Sequence, residues 1–235
     1  MILVGCPVRK RDWILPAWKQ HIDIAMQRAF PDFDIKYLFV VGKDDSECRE
    51  LISSWSDSSY RIVEENPKQD VRSWNSGAYM HMVDLRNCLL EEVRYENPDF
   101  FFSIDSDMLM HPDSIVNMYE TYLSHDTWAV GGKAFLSMGG KHHPTFGNWV
   151  DKAQRSNFRR NESDQVMLVD ILMAIKMMDR RAYNIDYCYH KNGEDLGWSS
   201  AVYSAGGTLW WDGRITNKHV MTPSMLGSID ARCGY

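Results

Sequence analysis

Apolar runs alternate with helix-like patterns along the first half of the chain. The runs predict strands at residues 2–5, 36–42, 60–65, 99–104 and 128–132. Between them, apolar positions recur with the spacing of one helix face, which predicts helices at 12–29, 44–55, 74–94 and 112–123. Asp12 is the predicted N-cap of the first helix, and Pro16 falls in its first turn, where proline is tolerated.

The run at 99–104, DFFFSI, is apolar without alternation, as in a strand that helices cover on both faces. The β-α-β-α order therefore predicts an α/β fold with a mostly parallel central sheet flanked by helices. Ligands of such sheets bind beyond the carboxyl ends of the strands. The residues that follow each predicted strand are thus the first candidates for a functional site.

The second half of the chain has a weaker pattern. Residues 137–160 are rich in glycine, histidine and arginine and predict a long loop. Residues 165–180 predict a strand followed by a helix, and a helix at 194–205 and a strand at 208–211 come next. The last ~20 residues predict an irregular tail over the site.

Composition sets limits on the class of protein. The 235 residues carry a net charge of −6, which argues against a general nucleic-acid coat. The five cysteines are scattered without a Cys-x-x-Cys pair, which indicates reduced thiols in a cytoplasmic compartment and no zinc site. No targeting segment is visible, and the longest apolar stretch, 166–178, contains Asp170 and Lys176, so no membrane span is expected.

Two aspartates directly follow the apolar run at 99–104. Carboxylates two positions apart at a strand end can converge on one divalent cation, and such cations commonly bridge protein carboxylates and substrate phosphates. Asp105 and Asp107, with Ser106 between them, are therefore candidates to bind Mn²⁺ or Mg²⁺. The alternative is a pair of aspartates that only caps a turn.

Two later segments carry further candidates. Glu194 and Asp195 open a predicted helix, where the helix dipole favours carboxylates, but either could instead act as a general base. His219 lies beyond the last predicted strand and is either a structural histidine or a third cation ligand, since imidazole can join carboxylates around manganese.

In combination and order, these motifs resemble the GT-A fold glycosyltransferases, closest to the family 2 type. The shared features are a proline-containing loop after the first strand, the Arg86-Asn87 pair in a helix, a strand ending in Asp-x-Asp, a Glu-Asp-x-x-Trp helix and a late histidine. The resemblance covers about residues 1–222 and implies a single Rossmann-like domain over 1–235. Residues 1–110 would form the nucleotide-sugar half, and 111–235 the acceptor half and tail.

The resemblance also implies roles for individual residues. Pro7 and Arg9 would lie along the nucleoside of a nucleoside diphosphate sugar, with UDP as the expected nucleotide. Asp44 or Asp45 would bind the base, and Arg86 would lie near the base or the diphosphate. The remaining implied contacts are Asp105, Ser106 and Trp198 for the donor, Asp105, Asp107 and His219 for the cation, and Asp195 with Glu194 for catalysis.

The acceptor is less defined by the sequence. The basic segment in the second half is either a solvated face or a surface for an acidic acceptor, with candidate contacts at Lys141, His142, Trp149, Arg155 and Arg159. Glycosyltransferases of this size without an anchor include phage enzymes that modify hydroxymethylated pyrimidines in DNA, in the host cytoplasm. A saccharide, lipid or protein acceptor is the alternative.

Two other classes of protein remain in view. A sugar nucleotidyltransferase would share the sheet and the acidic cation site, but its glycine-rich loop after the first strand is replaced here by Gly5-Cys6-Pro7-Val8-Arg9. A non-catalytic module that binds sugar nucleotides or carbohydrates would bind ligand without turnover.

Overall fold

A computed structural model describes residues 1–64, 76–138, 141–155, 157–160 and 163–226, with side chains for all of these except 136–138, 141–143 and 160. The strands of the first half are β1 (Ile2–Val8), β2 (Ile35–Gly42), β3 (Ser58–Val63), β4 (Phe100–Ile104), β5 (Met108–Leu109) and β6 (Ala129–Lys133). The helices between them are α1 (Leu15–Ala29), α2 (Ser46–Ser53), α3 (Ser76–Glu96) and α4 (Ser114–Ser124).

The second half has shorter elements. Its strands are β7 (Phe135–Met138), β8 (Lys141–Pro144), β9 (Phe146–Trp149), β10 (Phe158–Arg160), β11 (Val166–Val169), β12 (Ile171–Leu172), β13 (Ile175–Met178), β14 (Leu209–Thr216) and β15 (Lys218–His219). Its helices are α5 (Arg180–Tyr183), α6 (Glu194–Ser204) and α7 (Pro223–Leu226).

The central sheet has eight strands in the order β11-β14-β6-β13-β4-β1-β2-β3. Six of them run in one direction, while β13 is antiparallel to both β4 and β6, and β11 is antiparallel to β14. The prediction of a mostly parallel central sheet flanked by helices is therefore confirmed. Three small sheets, β10-β9-β12, β15-β5 and β7-β8, complete the strand pairing of the described residues.

Alternate residues of the central strands enter two different cores, because successive side chains of a strand point to opposite faces. On β1, Val4 joins the core packed against α1 and α4, whereas Leu3 joins the core beneath α3 and α6. Each core is built from fully buried aliphatic and aromatic side chains, with Trp18 in the first and Trp198 in the second. Both faces are thus covered, as the continuous apolar runs predicted.

Several helix and strand boundaries differ from the predictions. Helix α1 begins after Ile14, which makes no side-chain cap hydrogen bond, so the assignment of Asp12 as the N-cap is wrong. Strand β1 extends to Val8 and so includes Pro7, whose side chain is part-exposed. Within the described part of the tail, Lys218–His219 and Pro223–Leu226 form regular structure, which the sequence did not predict.

The largest errors concern residues 137–160 and 165–180. The predicted loop contains paired strands, and β7 pairs with β8 while β9 pairs with β10 and β12. The predicted helix in 165–180 is a strand, β13, and only Arg180–Tyr183 is helical. A segment of only four residues, such as Ile175–Met178, fits either periodicity, and here pairing with the edges of β4 and β6 determines the outcome.

Candidate active site

Three loops meet at one edge of the sheet, where β1, β2 and β4 end. Asp45, in the loop after β2, connects the first two loops: its Oδ2 accepts from the Lys10 backbone N–H at 2.6 Å, and its Oδ1 accepts from Cys48 N at 3.3 Å. Lys10 has a φ of 50°, an uncommon conformation for a residue other than glycine, and this contact helps hold it there. Asp45 is buried and caps α2, whereas Asp44 is exposed and its carboxylate lies 3.9 Å from Arg9.

Asp107, a predicted cation ligand, lies in the loop after β4. Its Oδ2 is 3.0 Å from Arg11 Nη2 and 3.4 Å from His219 Nε2. The short strand β15 brings the histidine there, because His219 pairs with Met108 and the Val220 backbone N–H donates to Asp107 O at 2.8 Å. The side chains of Asp107 and His219, separated by more than a hundred residues in sequence, are thus adjacent, as the sequence predicted.

The Asp107–His219 pair presents a carboxylate and an imidazole, both of which are ligand types of divalent cations. Two ligands at about 2.1 Å from an octahedral cation stand about 3 Å apart, close to the separation of these two atoms. Burial alone would raise the pKa of Asp107, but the hydrogen bond to His219 and the nearby Arg11 lower it, so its carboxylate is ionised. Among the described residues, no group of three or more His, Cys, Asp or Glu side chains is arranged to hold a metal.

Asp105, the other predicted cation ligand, is instead held by Arg86. The Asp105 Oδ1 lies 2.6 Å from Arg86 Nη2, and the same buried guanidinium donates to Ser103 Oγ at 3.0 Å. The Asp105 backbone oxygen accepts from Trp18 Nε1 at 3.0 Å, which ties the loop to the core. The buried Arg86 guanidinium therefore fixes the loop that carries Asp105 from its buried side. The Asp105 side chain remains about one-third exposed.

Helix α6 places two further carboxylates against this pair. Asp195 Oδ1 lies 2.6 Å from the Nζ of Lys176, a fully buried residue of β13. Glu194 Oε1 is 3.7 Å from Arg86 Nε. Gly193 precedes the helix as its N-cap, and its φ of 129° is available to glycine at little cost.

The packing of these acids perturbs their protonation. Burial, and then the charge of Asp195, raise the pKa of Glu194 to about 7, although Arg86 opposes the shift. Burial likewise raises the pKa of Asp105, with contributions from Asp195 and Asp107 and opposition from Arg86. Clustered carboxylates with raised pKa values are typical of sites that bind cations or move protons.

The other predicted donor contacts lie around this cluster. Ser106 is buried in the turn between the two aspartates. Trp198 is fully buried and stacks on Tyr187 with ring centroids 5.8 Å apart, so its ring belongs to the core, 5.7 Å from the Nζ of Lys176. Pro7 and Arg9 lie at the end of β1 and in the loop that follows, on the same edge of the sheet as Asp107.

The predicted acceptor contacts are more dispersed. Trp149 is 5% exposed and packs in a small core, and Arg155 Nη1 donates to Ser200 O, Ser200 Oγ and Ser204 Oγ of α6. Arg159 is exposed on β10. Lys141 and His142 belong to β8, but their side chains lie outside the described part of the molecule.

Sequence reasoning missed two cations of the site, Arg11 and Lys176. Arg11 stands in a basic stretch, Arg9-Lys10-Arg11, that follows an apolar strand and so enters the edge where ligands of such sheets bind. Lys176 interrupts an apolar run, and a charge that must be buried with its strand requires a partner. Both signals were present in the sequence.

The mostly parallel eight-stranded sheet flanked by helices has the architecture of the GT-A fold. No protein-family model and no curated protein sequence matches the chain. Among solved structures, it is similar to S. aureus TarS 1-349 in complex with UDP-GlcNAc, with a TM-score of 0.60 and 10% identity over 97% of this chain and 61% of that one. The complex of TarS with UDP gives a TM-score of 0.60 and 11% identity over 96% and 62%.

TarS 1-349 without a named ligand also matches, with a TM-score of 0.56 and 10% identity over 93% of this chain and 60% of that one. The chain thus spans about three-fifths of the TarS chains it resembles. At this level of identity the similarity establishes the GT-A fold. In the described part of the chain, every helix is too short or too polar to cross a membrane.

Proposed function

We propose that this chain is a glycosyltransferase that moves a sugar from a nucleoside diphosphate sugar to an acceptor hydroxyl. The observation that carries the proposal is the convergence of Asp105, Asp107, Asp195 and His219 at the carboxyl edge of a GT-A sheet. The TarS structures contain UDP-GlcNAc and UDP. By analogy of fold, UDP is the nucleotide we propose for this chain.

We propose further that Asp107 and His219 hold Mn²⁺ or Mg²⁺. The two side chains offer a carboxylate and an imidazole 3.4 Å apart, and diphosphate oxygens and water would complete the coordination. When bound, the cation would stabilise the negative charge that grows on the departing diphosphate. Arg11, in contact with the same carboxylate, adds a fixed positive charge beside that position.

Asp195 is the proposed general base. It would accept the proton of the acceptor hydroxyl as the acceptor oxygen forms a bond to the anomeric carbon, while the bond from that carbon to the diphosphate breaks and its electron pair leaves with the nucleotide. The side chain of Asp195 is 14% exposed, so it is not closed off from solvent. Burial raises the pKa of Glu194 to about 7, so the charge of Glu194 changes near neutral pH and alters the electrostatics of the same cluster.

For the acceptor, the two hypotheses from the sequence remain proposals. Exposed Arg159 and the backbone position of β8 are compatible with a basic acceptor surface, as a hydroxymethylated pyrimidine in DNA would require. Burial of Trp149 and the engagement of Arg155 with α6 remove two of the expected contacts, which favours the alternative of a saccharide, lipid or protein acceptor. A salt-sensitive mobility shift with duplex DNA would support the first, and no shift at low salt would exclude it.

The direct test is a panel of sugar nucleotides with and without Mn²⁺, read by nucleoside diphosphate release and by ligand-induced thermal shift. We expect UDP-sugars to raise the melting temperature and to release UDP, and Mn²⁺ to increase both the thermal shift and the UDP release. In Asp107→Asn, we expect Mn²⁺ to increase neither. Asp32→Asn, at an exposed turn after α1, is the matched control. Pyrophosphate release would indicate a nucleotidyltransferase, binding without turnover a non-catalytic module, and no shift with any donor would refute the proposal.

A further inference from the structure

Strand β13 contains a lysine where its neighbours are all apolar. Lys176 is 0% exposed, between Ile175 and Met177, and its strand is inserted between β4 and β6. An unpaired charge in such a place is strongly unfavourable, so a buried lysine on a central strand needs a specific partner. Its partner is the Asp195 carboxylate, 2.6 Å from Nζ.

The surroundings of the ammonium leave it little freedom. The rings of Tyr187 and Trp198 each lie with their centroid 5.7 Å from Nζ, and these rings stack on each other. Burial alone would lower the pKa of Lys176, but the charge of Asp195 raises it above its usual value. The lysine is therefore a fixed cation beneath the carboxylate.

A second cation lies close by and competes for the same carboxylate. The Arg86 guanidinium pairs with Asp105 at 2.6 Å, and its Nε is buried without a hydrogen-bond partner in the described structure. Arg86 and Asp195 are near enough to interact electrostatically. Two cations and two carboxylates thus separate into the pairs Arg86–Asp105 and Lys176–Asp195.

We propose, on the basis of the proposed function, that Lys176 is the positioning residue of the general base. By holding Oδ1 of Asp195 from below, it leaves Oδ2 to accept the acceptor proton. No hydrogen bond reaches Oδ2 from the residues that the structure describes. Lys176 itself keeps its protons throughout, because the transferred proton goes from the acceptor hydroxyl to Asp195 and the electron pair leaves with the diphosphate.

The test compares Lys176→Met, Lys176→Arg, Asp195→Asn and the double variant Lys176→Met/Asp195→Asn, with Lys36→Met on an exposed position of β2 as the control. The measurements are kcat, donor KM and UDP affinity by calorimetry. We expect Lys176→Met to lower kcat about 10²-fold, in the range of a lost general base, with UDP affinity changed less than about threefold. The double variant should be no slower than Asp195→Asn, because both substitutions remove the same function.

Lys176→Arg keeps the buried charge and its pairing with Asp195, but its longer planar group displaces Oδ1. We expect its kcat to fall about tenfold and to stay above that of Lys176→Met. If Lys176→Met does not fold, this variant decides, and a kcat equal to that of the wild type overturns the proposal. The proposal is also overturned if the kcat losses of the two single variants multiply in the double variant. A loss of UDP affinity as large as the loss of kcat would overturn it as well.

The same set separates this inference from the proposed function. If the unmodified protein releases no UDP from any donor, the proposed function fails and the inference with it. If Asp195→Asn keeps wild-type kcat, Asp195 is not the base and Lys176 has nothing to position. If Asp195→Asn is inactive while both Lys176 variants are unaffected, the glycosyltransferase proposal stands and only the role of Lys176 is wrong.

Discussion

The buried Glu194 carboxylate should impose a measurable pH dependence on stability. Its side chain is 10% exposed, and burial followed by the charge of Asp195 raises its pKa from 4.5 to about 7. A carboxyl whose pKa is higher in the folded than in the unfolded chain binds its proton more tightly when folded. Its contribution to stability is therefore complete below pH 4.5 and is lost as the pH rises through 7.

The size of the effect follows from that shift. Each pKa unit corresponds to about 1.4 kcal/mol, so the full change is about 3 kcal/mol, of which about 2.5 kcal/mol falls between pH 5 and pH 8. Glu194→Gln cannot titrate, so its free energy of unfolding relative to the wild type should rise by that amount over the interval. For a domain of this size, the melting temperatures should change relative to each other by roughly 5–10 °C.

The assay is urea denaturation of both proteins at pH 5, 6, 7 and 8, and the quantity of interest is the difference between their unfolding free energies. Asp105, whose pKa burial also raises, titrates in both proteins and cancels to a first approximation in that difference. Glu96→Gln, at the exposed end of α3, should give a flat difference. A flat curve for Glu194→Gln, or one that falls with pH because the contact with Arg86 dominates, would refute the reasoning.

Three further outcomes are expected. Asp107→Asn should weaken Mn²⁺ binding by at least about tenfold in calorimetry with UDP present, and equal affinity would exclude Asp107 as a ligand. Arg11→Met should weaken metal-free UDP binding several-fold while leaving the melting temperature within a few degrees, since its partner Asp107 is part-exposed. In denaturation experiments, Gly197→Ala should destabilise the fold by more than about 3 kcal/mol, because the new Cβ would lie 1.8 Å from Cys188 O. Gly206→Ala is the comparison: its φ of 87° is unfavourable for alanine, but the Cβ would meet open space, so the cost should be about 1 kcal/mol.

The sequence predicted the first half of the fold well, because its strands are long enough and apolar enough to be recognised alone. Strand β4, Phe100–Ile104, lies within the predicted strand at 99–104. Asp45 caps α2, close to the start of the helix predicted at 44–55. The second half depends on long-range pairing. Ile175–Met178 is a strand only because two open strand edges lie beside it, and no local pattern encodes that.

The sequence indicated the acids of the candidate site and Arg86, but not the cations Arg11 and Lys176. The proximity of His219 to Asp107 follows from chain order and the carboxyl-edge rule, and the structure places Nε2 3.4 Å from the carboxylate. The pairing of Asp105 with Arg86 depends on the rotation of one helix against the sheet, which sequence spacing does not determine. Lys176 was seen only as a charge that interrupts an apolar run, since its strand had been predicted as a helix.

The place of β13 in the sheet has a consequence for synthesis of the chain on the ribosome. Strands β4 and β6 are made first, yet they join only through β13, which is translated after all the small strands of the middle segment. Until then the nascent chain exposes an apolar strand edge that can pair with other chains. Insertion of β13 closes that edge and buries the Lys176 ammonium, whose partner Asp195 follows 19 residues later in the chain. Because a buried ammonium without its partner is unfavourable, the edge is stably closed only after α6 has also been made.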